Sequence, residues 1–159
     1  MAFQLTPEQE MIRLMARDFA KRELEPFAGT WDRDEVFPEA AIRKMGGLGL
    51  MGMMLPIEYG GAGAGAVSYS LALQEIAAAC ASTAVTMSVT NLSSDPILKF
   101  GSEEQKRKFL VPLARGEMLG AFAVTEPEAG SDPGSMTTRA EDRGDHYLVN
   151  GSKIFITNG

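Results

Sequence analysis

The residues with the most chemistry in this chain lie together in the stretch Phe122-Ala123-Val124-Thr125-Glu126-Pro127-Glu128-Ala129-Gly130-Ser131-Asp132. An apolar run feeds a turn rich in glycine, serine and carboxylate, which brings backbone N–H groups and the hydroxyls of Thr125 and Ser131 into a short span. Such a loop can hold a polar heterocycle or a phosphate, and it reads equally well as a plain turn, because Gly-Ser-Asp is common turn chemistry. It is neither a Walker loop nor a dinucleotide fingerprint, since GKS/GKT and GxGxxG are both absent. Glu126, Glu128 and Asp132 read as turn-forming, hydrogen-bonding groups rather than proton-transfer groups. Cys80 and His146 are the only cysteine and the only histidine. A Ser-His-Asp or Cys-His triad would rest on that one ring, and neither an internal disulfide nor a His-rich or Cys-rich metal site can form.

Charge narrows the partners. Lys and Arg number 15 against 21 Asp and Glu, a formal net charge of −6 with a sequence pI near 4.8. No broad basic surface is left to hold a nucleic acid backbone. The 159 residues, 45% hydrophobic and 23% charged, have ordinary globular composition. The opening MAFQLTPEQE has neither a basic n-region nor an apolar h-region, and no uncharged apolar run approaches the ~20 residues that span a bilayer. With a single cysteine, the chain reads as a soluble protein of a bacterial-type cytoplasm, with no membrane partner.

Helices must position the loop. Thr6-Pro7-Glu8-Gln9 predicts an N-cap, a first-turn proline and a capping box. Met11, Ile12, Met15, Phe19 and Leu24 follow at helical spacing until Pro26 is expected to stop the run. A second helix is predicted from Pro38 to Met45, with Gly46 as its left-handed C-terminal residue. Gly46 to Gly65 reads as a buried, glycine-rich connection. A helix is predicted from Ser68 towards Cys80, another over 82–94, a short one over Pro96–Phe100 closed by Gly101, and one opened by the Ser102–Gln105 capping box and running to about Arg115. After Gly116 the signal turns to strand: Leu119–Thr125, Thr137–Glu141, Tyr147–Val149 and Lys153–Thr157, with Asn150-Gly151 as the expected hairpin turn. The expected class is α+β, with an all-α domain over 1–116 and the first strands of an antiparallel sheet over 117–159. A second Asn-Gly at 158–159 with no return strand suggests part of a larger protein.

AVTEPEAGSD followed by KIFITNG closely resembles the first signature region of the flavin-dependent acyl-CoA dehydrogenases. LTPEQEMIR, FPEAAIRKMGGLGLMG, LPIEYGGAG, ASTAVTMSVTN and ILKFGSEEQKRKFL are similar to that family's N-terminal half in order and spacing. CASTAVTMSVTN and ILKFGS are most similar to its short-chain, butyryl-CoA-type members. The resemblance implies a barrel-like antiparallel middle domain, FAD as cofactor, and α,β-dehydrogenation of an acyl-CoA thioester to a trans-2-enoyl-CoA in fatty-acid β-oxidation. An electron-transferring flavoprotein is the implied acceptor, and the parent is expected to be a homotetramer.

Residue by residue, the resemblance implies that Phe122 to Ser131 lies against the isoalloxazine and pyrophosphate of FAD. Val124 and Thr125 would offer backbone and hydroxyl donors at the pyrimidine edge. Gly130 and Ser131 would approach the cofactor, and Ser131 also the CoA portion of the substrate. Phe155, Ile156 and Thr157 would pack on the flavin, with the Thr157 hydroxyl near N5 and Phe155 where many members carry tryptophan. Ala84, Val85, Ser88 and Leu92 would line the acyl cavity, a role that competes with an ordinary helix–helix seam.

The implied base is a glutamate of a helical domain beyond the sheet, so no catalytic residue is assigned in 1–159, and the chain alone is expected to be inactive. Two alternatives stay open: a non-catalytic helical module that needs a partner chain, and a flavin oxidase or monooxygenase of the same fold.

Overall fold

The computed structural model describes residues 4–159, so Met1-Ala2-Phe3 of the leaderless N-terminal reading lie outside the described residues. Six helices come first: α1 (Pro7–Glu23), α2 (Glu25–Arg33), α3 (Glu39–Gly47), α4 (Gly65–Ala79), α5 (Ala81–Phe100) and α6 (Glu103–Ala114). Two short antiparallel strands follow, β1 (Arg139–Asp142) and β2 (Tyr147–Asn150), in an open sheet with Arg139 opposite Asn150 and Asp142 opposite Tyr147. The α+β class is as the sequence predicts.

Both capping boxes form. The Thr6 hydroxyl accepts from the Gln9 N–H at 3.2 Å while the Gln9 carboxamide accepts from the Thr6 N–H at 3.0 Å, and Ser102 and Gln105 repeat the exchange. Each pair satisfies donors that a helix N-terminus otherwise leaves bare.

The main core collects Phe19 and Leu24 of α1 and its cap, Met45 of α3, Ile76 of α4 and Met87 of α5, closed by Leu50 and Met51. Within the α1 stripe Phe19 and Leu24 are buried and Ile12 and Met15 pack against the core, whereas Met11 is 64% exposed. The 46–65 connection is buried only in part: Leu50, Met51, Met53, Leu55 and Tyr59 are buried, whereas Leu48, Met54 and Ile57 are exposed, and the segment winds into two single-turn 3₁₀ helices, Leu50–Gly52 and Ile57–Tyr59. Tyr59 and Leu55 pack on Leu110 and Ala114 of α6 in a second cluster.

Several local expectations are corrected. Pro26 does not end the helical run but sits in the first turn of α2, where its missing N–H costs nothing. Helix α2 has no fully buried residue: Ala28 and Trp31 pack part-buried against the main core, and Phe27 stacks on Trp31 at 5.7 Å. Gly46 is not left-handed: it lies inside α3, and a Cβ there would meet the Arg115 carbonyl oxygen at 1.9 Å. The left-handed residue is Gly49, with φ of 75°.

The helices expected over 82–94 and 96–100 are one helix, which continues through Pro96 at the loss of a single intrahelical bond to the Leu92 carbonyl. Three of its buried hydroxyls are satisfied within the helix: Thr90 donates to the Thr86 carbonyl at 3.0 Å, and Ser93 and Ser94 to that of Thr90 at 3.0 and 2.8 Å.

In the strand region, 137–141 and 147–149 form β1 and β2 within a residue or two. The hairpin turn, however, is at 143–146, where the Arg143 N–H donates to the His146 carbonyl at 2.9 Å and the Asp142 carboxylate caps the Gly144 N–H at 2.8 Å. Asn150-Gly151 is not that turn. Residues 119–125 and 153–157 stay extended or turned without a ladder, because the one bond of that kind between them runs from the Ile154 N–H to the Thr125 carbonyl at 3.0 Å. No helix among the described residues is long and apolar enough to cross a membrane.

Candidate functional site

The signature loop is a tight reversal. Pro127 and Glu128 form its tip, and Glu126 and Ala129 exchange N–H to carbonyl bonds of 2.9 and 3.2 Å across it. Glu126 points back into the fold and is 4% exposed. Its carboxylate accepts from the Thr137 N–H at 2.6 Å, the Thr137 hydroxyl at 3.0 Å and the Thr138 N–H at 3.0 Å, and pairs with the Lys153 ammonium at 2.9 Å. Thr138, the Thr137 N–H and the Lys153 ammonium hold this carboxyl far below the usual carboxylate range. Glu126 is therefore an anchor held ionised, unsuited to taking up a proton near neutral pH.

Lys153 also donates to the Val124 carbonyl at 2.8 Å, and the Ile154 N–H to the Thr125 carbonyl at 3.0 Å. These bonds bring 122–126 and 153–157 side by side. Val124, Thr125, Ile156 and Thr157 are half-buried along this junction, while Phe122 and Phe155 are exposed, Phe155 at 89% and with a left-handed φ of 55°. Gly130 and Ser131 lie on the exposed far side of the reversal, and a Cβ at Gly130 would meet nothing within 4 Å. Among the described residues the Thr125 N–H and the hydroxyls of Thr125, Ser131 and Thr157 meet no hydrogen-bond partner. They are donors left available to a ligand.

The helix residues divide. Ser88 and Leu92 line a groove of about 390 Å³ between α5 and Met54, Leu55 and Tyr69, floored in part by Leu98. Ala84 is packed in the main core and Val85 is exposed outside the groove lining. Ser88 turns its hydroxyl onto the Val85 carbonyl at 2.9 Å, and Asn91 and the Asp95–Lys99 ion pair join the apolar groups in the groove wall. Burial pushes the Tyr69 phenol up from its ordinary value, so it stays neutral there.

Two residues of the site were not singled out by sequence reasoning. Lys153 could have been noticed as a cation opening an otherwise apolar run. Asn158 read only as half of a turn dipeptide, yet its carboxamide donates to the carbonyls of Thr86 at 3.2 Å and Gly120 at 3.0 Å, fastening the 153–157 segment to α5. No group of three or more metal-ligating side chains occurs among the described residues.

Comparison with known proteins identifies the lineage. Residues 6–117 match the family described as acyl-CoA dehydrogenase, N-terminal domain, and residues 121–159 match acyl-CoA dehydrogenase, middle domain. The short-chain specific acyl-CoA dehydrogenase of Clostridium acetobutylicum is 50% identical over 160 residues, covering all of this chain and 42% of the relative. Butyryl-CoA dehydrogenase of Megasphaera elsdenii superposes with a TM-score of 0.91 at 41% identity, over 100% of this chain and 43% of its own.

A chain from a structural study of the electron transferring flavoprotein of Acidaminococcus fermentans gives 0.96 at 44% identity, over 100% and 42%. A glutaryl-CoA dehydrogenase of Mycobacterium smegmatis in complex with FADH2 gives 0.92 at 38%, over 97% and 40%. The chain thus spans less than half the length of these relatives. With both family matches in sequence order and together reaching from residue 6 to residue 159, the chain belongs to the acyl-CoA dehydrogenase family.

Proposed function

We propose that this chain is the N-terminal helical domain, over 1–116, and the start of the middle domain, over 117–159, of an FAD-dependent dehydrogenase that converts a short acyl-CoA to its trans-2-enoyl-CoA. The observation that carries this reading is the end-to-end similarity to butyryl-CoA and short-chain relatives at 41–50% identity. The donor set fits the cofactor: an unpartnered N–H and hydroxyl at Thr125 and an unpartnered hydroxyl at Thr157 suit the carbonyl and ring-nitrogen acceptors of an isoalloxazine. Bound FAD supplies a two-electron acceptor for the hydride leaving the β-carbon.

The chain's own residues orient and enclose. Val124 and Thr125 would present backbone and hydroxyl donors to the pyrimidine edge of the cofactor. Phe122, Phe155 and Ile156 supply apolar surface against the ring, Thr157 a hydroxyl, and Gly130 an open approach beside Ser131, which serves both cofactor and thioester. Ser88 and Leu92 form the acyl wall and keep water from the reacting carbons, while Ala84, packed in the core, and Val85, outside the groove, take no part in it. The proton-abstracting carboxylate belongs to the remainder of the enzyme. An electron-transferring flavoprotein takes the electrons, and the enzyme assembles as a homotetramer.

The test is to purify the full-length protein and titrate it anaerobically with butyryl-, octanoyl- and glutaryl-CoA while following the flavin absorbance. Bleaching by butyryl-CoA at a lower concentration than by octanoyl- or glutaryl-CoA is the expected result. A colourless protein, or one bleached only by a long or dicarboxylic thioester, defeats the cofactor or the substrate assignment respectively.

A further inference from the structure

Lys153 stands where a neutral residue would serve if the task were only to fill space. Its side chain is 22% exposed and its partner Glu126 is 4% exposed. Bringing two charges out of water is unfavourable, and fixing a lysine costs up to ~2 kcal/mol of rotamer entropy. Glu126 already accepts from three donors of Thr137 and Thr138. What the ammonium adds is its second contact, 2.8 Å from the Val124 carbonyl oxygen.

That oxygen belongs to the same peptide unit as the Thr125 N–H, one of the unpartnered donors at the junction. A cation on the carbonyl end of a peptide draws charge through the amide and strengthens its N–H as a donor, by the polarisation that makes hydrogen-bond chains cooperative. The Lys153–Glu126 pair is net neutral, so it acts on this peptide as a local dipole with its positive end on the Val124 oxygen. The next residue, Ile154, bonds the Thr125 carbonyl, so one segment both polarises and registers the Thr125 edge.

We propose that Lys153 is a positioning residue: its ammonium, held by Glu126, polarises the Val124–Thr125 peptide so that the Thr125 N–H binds the reduced flavin more strongly than the oxidised one. The inference rests on the flavin assignment made above. It concerns binding and potential, and it assigns Lys153 no contact with substrate.

The experiment uses the full-length holoenzyme and three variants: Lys153→Arg, Lys153→Gln, and the double Glu126→Gln/Lys153→Gln, which leaves no carboxylate buried without a partner. Three quantities are read: the ratio of affinities for reduced and oxidised FAD, the flavin absorption band and the thermal midpoint. Lys153→Gln and the double variant are expected to lower that ratio by about threefold to tenfold; a tenfold loss is a fall of about 30 mV in the two-electron potential. Lys153→Arg is expected to restore most of it.

Folded variants with an unchanged ratio and only a lower thermal midpoint would make the pair purely structural and overturn the inference. If both uncharged variants fail to fold, Lys153→Arg decides: a folded Lys153→Arg protein that keeps the cation and yet loses the ratio about threefold or more would overturn the inference, and one that matches the parent supports it. A parent protein that binds no flavin sinks the functional reading itself, whereas a flavin-bearing parent with indifferent variants sinks this inference alone.

Discussion

Asn158 reaches 72 residues back along the chain to donate its carboxamide to the Thr86 carbonyl at 3.2 Å. The same nitrogen meets the Gly120 carbonyl at 3.0 Å, so one side chain ties the 153–157 segment to α5 and to the start of the signature run. Its backbone is left-handed, with φ of 64°, a conformation asparagine tolerates better than other residues with a Cβ. Asn158→Gly keeps the conformation and deletes the bonds, and is expected to cost about 1–2 kcal/mol in urea denaturation. Asn158→Ala adds backbone strain for a total of about 2–3 kcal/mol. Equal losses for the two variants would rule out the conformational part.

Adjacent glycines in α3 separate close approach from mere flexibility. A Cβ on Gly46 would sit 1.9 Å from the Arg115 carbonyl oxygen, while one on Gly47 meets nothing within 4 Å. Gly46→Ala should therefore destabilise by at least about 1–3 kcal/mol through overpacking. Gly47→Ala should stabilise by about 0.4–1 kcal/mol by restricting the unfolded chain. Thermal midpoints moving in opposite directions verify the contrast, and a shared direction refutes it.

Acid should weaken the fold through two carboxyls. The Arg17 guanidinium, hydrogen-bonded to Glu75 at 2.7 and 2.9 Å, holds that carboxyl below its ordinary value, as the Thr138, Thr137 and Lys153 groups hold Glu126. Folded values lower than unfolded ones mean that the unfolded chain binds more protons in acid, so stability is full above about pH 4.3 and is lost as pH falls through the folded values. Denaturation midpoints between about pH 3 and pH 7 should show this decline. Glu126→Gln should flatten it, and a profile unchanged by that substitution would remove Glu126 from the account.

The Ser102 capping box stabilises α6 against the second core cluster. Ser102→Ala is expected to cost about 1 kcal/mol, because it strips the Gln105 N–H of its acceptor. Ser102→Asp should recover most of that loss in the same denaturation assay, since aspartate caps equally well.

A bulky side chain in the α5 groove tests the proposed acyl wall in the full-length enzyme. Ser88→Phe is expected to reduce kcat/KM for octanoyl-CoA at least about tenfold more than for butyryl-CoA, the scale on which apolar pockets discriminate. Parallel losses for both thioesters would place the acyl chain elsewhere.

Rules that act within one helical turn were legible without coordinates. Thr6 with Gln9 and Ser102 with Gln105 announced two helix starts, because a cap and its partner are three residues apart and need nothing distant. The order of AVTEPEAGSD and KIFITNG was enough to identify the family. Contacts between distant segments were not legible. Gly46 has no room for a side chain because the backbone of Arg115, 69 positions on, passes against it. Pro96 lies within a continuous helix rather than at a boundary, and α2 forms with no fully buried residue to signal it.

The carboxylate of Glu126, the ammonium of Lys153 and the carboxamide of Asn158 acquire their roles only when 124–126, 137–138 and 153–158 fold against one another and α5. Composition and spacing determined which groups are available; tertiary packing decided which carbonyl each one faces, since hydrogen-bond partners across a fold depend on distance in space and not on separation along the chain.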